Sequence, residues 1–181
     1  RCTVSGMTIR HTHESRLGID IGRVIINGDG GGGDTSFFAG TDEDAVRTPE
    51  MPGAFVTIAA LTRAFARRVW LVSKCGPKVQ SRTRRWLRAH DFWGRTGVYE
   101  TNLRFCLERR DKALHCKQNR ITHFIDDRVD VLGHLAGVVE HRYLFGPQRA
   151  GTRVPAGVVP VLTWADVARE FGLVPEVAAA S

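Results

Sequence analysis

Residues 17–26 read LGIDIGRVII, an apolar run interrupted by an aspartate at position 20. Leu, Ile and Val predominate, and a polar stretch lies on the N-terminal side and Asn-Gly on the C-terminal side, so the segment predicts a buried strand. Four shorter runs of the same kind follow at 69–73 (VWLVS), 103–106 (LRFC), 123–126 (HFID) and 143–145 (YLF). Between them the apolar residues change to helical spacing. Phe55, Ile58, Leu61 and Phe65 follow Pro49 and Pro52, which suit a helix start, and Val79, Thr83, Trp86 and Leu87 recur through KVQSRTRRWLRAH at 78–90. Thr163 and Asp166 have capping-box spacing in TWADVAREFG, and Gly172 is placed to end that helix. Strands alternating with helices predict an α/β fold: one domain with a mainly parallel, five-stranded sheet and helices on both faces. That domain is expected over 16–175, with a flexible lead-in at 1–15, a tail at 176–181 and no internal repeat.

Composition agrees with a globular chain. Of 181 residues, 43% are hydrophobic and 25% charged, which argues against disorder and against a small disulfide scaffold. No uncharged apolar run approaches the ~18 residues of a spanning helix, and residues 1–16 lack the apolar stretch of a secretory signal. Cys2, Cys75, Cys106 and Cys116 form no CxxC pair, so the expectation is a reduced, cytoplasmic protein. A net charge of +7 points to an anionic partner: a phosphorylated metabolite, nucleic acid or an acidic protein surface.

The strand ends carry the candidate chemistry. Ligands of open parallel sheets gather at the carboxyl ends of strands, and here those ends deliver Asp20, Ser73 with Lys74, and Asp126 with Asp127. Adjacent buried carboxylates repel unless a cation offsets them, and a divalent ion such as Mg²⁺, with its preference for oxygen ligands, does so between Asp20 and Asp126. Lys112, opening a helical stretch, is placed to pair with a phosphate or a carboxylate. The segment 27–50 (NGDGGGGDTSFFAGTDEDAVRTPE) reads as a glycine-rich flap, too short for a separate cap domain. Its Gly28, Gly30 and Gly33 satisfy GxGxxG, yet no helix opens at Gly33 and the second strand ends in Ser-Lys, so a dinucleotide site is not expected.

At these residues the chain resembles the haloacid-dehalogenase-like hydrolase superfamily. LGIDIG is similar to the family's Asp-x-Asp strand end, which gives Asp20 the place of the nucleophile and the Gly22 carbonyl that of a metal ligand. VWLVS resembles the second motif, with Ser73 as the phosphate-binding hydroxyl, and Lys112, ahead of Lys117, matches the motif lysine. HFIDDRVD resembles the fourth motif, with Asp126 and Asp127 as metal ligands and Asp130 as a supporting acid. The resemblance implies a Rossmann-like domain of strand order 5-4-1-2-3 and the capless type. It also implies Mg²⁺ as cofactor and a phosphatase-like hydrolase acting through an aspartyl-phosphate on a phosphorylated small molecule or macromolecule. One position departs from the pattern: the second aspartate, the family's general acid and base, is Gly22. Asp29 and Asp34 on the flap are the candidate replacement acids. The alternative is a catalytically impaired domain that binds a phosphorylated ligand or nucleic acid.

Other features carry less. Arg82, Arg85 and Arg88 around Trp86 form a candidate phosphate-backbone footprint, although a solvated helix with Trp86 packed inward is the commoner use of such a pattern. Phe37 and Phe38 are read as pinning the flap to the core, and His115 and Cys116 as packing residues. His11, His13 and Glu14 lack further metal ligands, and Cys75 is a candidate oxidation-sensitive thiol only through its nearness to Ser73.

Overall fold

The computed structural model of the chain describes residues 14–28 and 40–173. Its strands are β1 (Leu17–Ile19), β2 (Val69–Lys74), β3 (Leu103–Cys106), β4 (His123–Asp126), β5 (His141–Phe145) and β6 (Val158–Val161). Its helices are α1 (Asp42–Arg47), α2 (Ala54–Ala64), α3 (Pro77–Ala89), α4 (Phe92–Thr96), α5 (Lys112–Gln118), α6 (Val129–His134) and α7 (Trp164–Glu170). The strands form one sheet of order β3-β2-β1-β4-β5-β6, parallel throughout. The expected order of the first five holds, and a sixth strand extends it beyond β5. Among the described residues no helix is long and apolar enough to cross a membrane.

Side chains alternate across the pleat and build a core on each face. Leu71, Ile125 and Tyr143 pack with Phe55 and Ile58 of α2, Trp86 of α3, Phe92 of α4 and Trp164 of α7. Their neighbours Val72, Phe124 and Leu144 point the other way, against Cys116 of α5 and Val131 and Leu132 of α6. Burial on both faces is why these strands read as continuous apolar runs. Gly18 of β1 is required by close approach: a Cβ there would lie 2.4 Å from Cδ2 of Phe124.

Three expectations need correction. The strand at 17–26 stops at Ile19, because the chain folds back on itself: Ile25 and Ile26 both donate to the Ile21 carbonyl, at 2.9 and 3.1 Å, and Arg23 takes φ 58°. Val24, Ile25 and Ile26 are nevertheless buried, so it was core burial and not strand structure that made them apolar. The sheet has six strands because β6, VVPV, pairs with β5 despite Pro160. The segment 27–50 ends in a helix, α1, which Thr41 and Asp44 cap reciprocally. The capping box of Thr163 and Asp166 on α7 forms as expected. The 1–13 part of the lead-in, the flap centre 29–39 and the tail lie outside the described residues.

Candidate active site

The strand order fixes where a site can form. From β1 the chain moves to β2 on one side and returns as β4 on the other, and the crevice at such a reversal is where parallel sheets bind ligands. Ile19 lies level with Ile125, so Asp20, just past β1, stands beside Asp126, the last residue of β4. The Asp20 amide continues the ladder by donating to the Ile125 carbonyl at 2.9 Å.

Lys112 joins the two carboxylates. It opens α5, is 2% exposed, and its Nζ donates to Asp20 Oδ1 and to Asp126 Oδ2, each at 2.7 Å. The second Asp126 oxygen accepts the Arg128 amide at 3.0 Å. Asp127 accepts from Arg23 Nε at 2.7 Å, and Arg23 Nη2 pairs with the same oxygen. Carboxylate oxygens of Asp20, Asp126 and Asp127 come within 4.8 Å of one another, and all three residues are buried.

This is a site with surplus negative charge. Burial pushes the Asp126 carboxyl up to about 7, and Asp20 and Asp127 add to the rise although Lys112 opposes it. Burial and Asp20 raise Asp127 as well, against the pull of Arg23. Burial alone would depress Lys112, but Asp126 and Asp20 outweigh it and hold the ammonium well above its ordinary value. Among the described residues, three carboxylates thus face two side-chain cations, Lys112 and Arg23. The donors are all hard carboxylate oxygens, so the set fits a hard divalent cation such as Mg²⁺.

The remaining sequence candidates fall into distinct places. Ser73 is 8% exposed on β2, one residue beyond the position level with Asp20, and Lys74 after it is exposed. Gly22 is exposed in the turn after β1, and a Cβ there meets nothing within 4 Å. Asp130 is exposed and ion-paired with Arg128 at 3.1 Å and Arg109 at 3.5 Å. Lys117 is exposed, away from the buried position of Lys112. Asp29, Asp34, Phe37, Phe38, His11 and His13 lie outside the described residues.

Two readings are corrected by packing. Arg82 does not face solvent: it is 5% exposed, bonded to Asp42 at 2.6 Å and to the Gly40 carbonyl at 3.0 Å. Trp86 beside it donates to the Thr48 carbonyl at 2.7 Å, so this helix face anchors α1, while Arg85 and Arg88 pair with Glu43 and Glu100. The geometry gives no support to a nucleic-acid footprint there. Cys75 is buried, and burial, with Asp20 adding to it, pushes its thiol up to about 12, the reverse of an oxidation-prone thiolate. His115 and Cys116 pack, with His115 Nε2 3.1 Å from the Phe105 carbonyl.

Arg23 is the residue that sequence reasoning missed. Nothing in LGIDIGRVII marks it, since its role depends on a left-handed backbone turn that brings position 23 back toward Asp127.

No protein-family model matches the chain, and no curated protein matches it by sequence. Among solved structures it is similar to D,D-heptose 1,7-bisphosphate phosphatase from B. bronchiseptica in complex with magnesium and phosphate. That likeness has a TM-score of 0.60 at 16% identity, over 86% of this chain and 97% of that one. It is also similar to D,D-heptose 1,7-bisphosphate phosphatase from Burkholderia thailandensis, with a TM-score of 0.56 at 13% identity, over 87% and 97%. At these identities the likeness is one of fold: the chain has the Rossmann-like, single-domain architecture that these phosphatases share.

Proposed function

We propose that the chain is a magnesium-dependent, phosphatase-like hydrolase of the haloacid-dehalogenase-like kind, acting on a phosphorylated substrate. The observation that carries this reading is the Lys112 ammonium held between Asp20 and Asp126, with Asp127 alongside, at the carboxyl edge of the sheet where β1 and β4 adjoin. The magnesium and phosphate in the B. bronchiseptica structure support it by analogy of fold.

Asp20 is the nucleophile in this reading. Lys112 engages its Oδ1, which leaves Oδ2 to attack phosphorus. The new bond joins Asp20 Oδ2 to phosphorus, the bond from phosphorus to the leaving oxygen breaks, and water then hydrolyses the aspartyl-phosphate. Ser73, Lys74 and Lys112 would hold the transferring oxygens, and Lys112 also keeps Asp20 oriented. Asp20, Asp126, Asp127 and the Gly22 carbonyl would hold the metal. When bound, magnesium would offset the charge of the carboxylates and of the phosphoryl oxygens. Asp130, tied to Arg128 and Arg109, would steady the loop after β4.

The test is phosphate release from nucleotides, sugar phosphates and phosphopeptides, with and without Mg²⁺. We expect metal-dependent release by the wild type that Asp20→Asn abolishes. Equal release by both proteins would overturn the reading.

Gly22 favours a second reading, a slow or non-catalytic binder of phosphorylated ligands. The fold does not impose glycine there, since a side chain would enter open space. If position 22 lacks only its acid, Gly22→Asp raises turnover on alkyl phosphates by about 10²-fold, within the usual range of general acid catalysis. Unchanged turnover in that variant would favour the binder, or a relocated acid at Asp29 or Asp34.

A further inference from the structure

Beside Asp127 the loops after β4, β5 and β6 enclose a cleft of about 660 Å³. Its size is within the ~300–1,000 Å³ of small-molecule pockets. Its lining includes the apolar side chains of Met51, Val129, Phe145 and Leu162, the last 60% exposed. Among the described residues that line it, Arg23, Arg128 and Arg149 stand against two carboxylates, Asp127 and Asp130. Both carboxylates are already engaged, Asp127 by Arg23 and Asp130 by Arg128 together with a fourth arginine, Arg109. Arg149 is exposed, and among the described residues its guanidinium has no ion-pair partner.

Hydrogen bonds join the loops that surround the cleft. Gln148 Nε2 donates to the carbonyls of Asp127 at 3.2 Å and Phe145 at 3.3 Å, tying the loop after β4 to the one after β5. The Gly146 amide donates to the Val161 carbonyl at 2.9 Å, tying the second loop to β6. Asp127 belongs both to the cleft and to the carboxylate cluster, so a molecule reacting at Asp20 has this space next to it.

We infer that the cleft receives the leaving portion of the substrate, and that this portion is a small organic group carrying a second oxyanion, a carboxylate or a further phosphate, which Arg149 and Arg128 bind. This inference rests on the phosphatase reading. The apolar side chains of the lining take the carbon skeleton, and the planar guanidinium forks suit an oxyanion by paired N–H donation.

The experiment compares phosphate esters that share a three-carbon skeleton: glycerol 3-phosphate, with a neutral end, against 3-phosphoglycerate, with a carboxylate, and against glycerol 1,3-bisphosphate, with a second phosphate. We expect kcat/KM to favour both charged esters by about fivefold to tenfold, mainly through KM, as one or two partly exposed charge-assisted contacts provide. Arg149→Ala should bring that ratio close to one, and Arg149→Lys should retain part of it. The two charged esters distinguish carboxylate from phosphate as the preferred group. A wild-type ratio near one, or a ratio that survives Arg149→Ala, overturns the inference while leaving hydrolysis intact. If none of the esters is hydrolysed, the panel of nucleotides, sugar phosphates and phosphopeptides still decides the phosphatase reading, and calorimetric binding of the same esters decides the cleft. Discrimination that Arg149→Ala removes then upholds it as an oxyanion site, and the absence of discrimination overturns the inference.

Discussion

Lys112 holds two buried carboxylates that no other described side-chain cation bridges. Replacing it by methionine keeps the length and removes the charge, and stranding buried charges by deleting their partner typically costs about 3–5 kcal/mol. Lys112→Met should therefore lower the urea midpoint strongly, and Mg²⁺ should recover more stability in this variant than in the wild type. Equal recovery in both would argue that the carboxylates do not take the metal. The aspartates at 20, 126 and 127 were legible in sequence because an apolar strand running into a carboxylate has no packing explanation. Arg23 was not legible, since its pairing with Asp127 comes from a turn and not from a periodic pattern.

At the scale of elements, α1 depends on α3. Arg82, Trp86 and His90 all reach residues of the 40–48 segment, His90 Nε2 lying 2.8 Å from the Val46 carbonyl. Arg82→Ala should cost about 1–3 kcal/mol, the usual loss for a buried hydrogen-bonded group, and should loosen α1 selectively. Hydrogen exchange read at the amides of 42–47 checks this, and acceleration spread evenly over the chain would count against it. In β1, Gly18→Ala should destabilise by about 1–3 kcal/mol, because the added methyl meets the buried Phe124 ring. Thermal unfolding of that variant measures it. Helices α3 and α7 were readable from local pattern, α3 from its apolar spacing and α7 from its capping box. Helix α1 was hidden because six residues after a glycine-rich stretch give too little periodicity, and β6 because a proline argues against a strand.

For the molecule as a whole, the parallel sheet with helices on both faces followed from strand and helix alternation and the order of its first five strands from the family resemblance, whereas the sixth strand and the cleft depend on loops that carry no periodicity. The cysteines test how closed this structure is. Cys75, Cys106 and Cys116 are buried, and burial raises their thiols to about 12, 11 and 12. Raised thiol values favour the protonated form in the folded chain, so the associated stability is present below the ordinary thiol value of 9.0 and is lost as pH rises from there through about 11 to 12. Iodoacetamide at pH 8 should leave these three unlabelled in the native protein and label them in denaturant, read by peptide mapping. Rapid native labelling would show the core opening around them.

Pro160 gives β6 one more property. The Val161 carbonyl bonds to the Gly146 amide beyond β5, so alternation turns the backbone of residue 160 toward the open margin of the sheet. A proline there presents no N–H, and an incoming strand from another molecule would find its ladder interrupted at that rung. The residue that concealed this strand in the sequence thereby helps to guard the protein against growing into fibrils from that side.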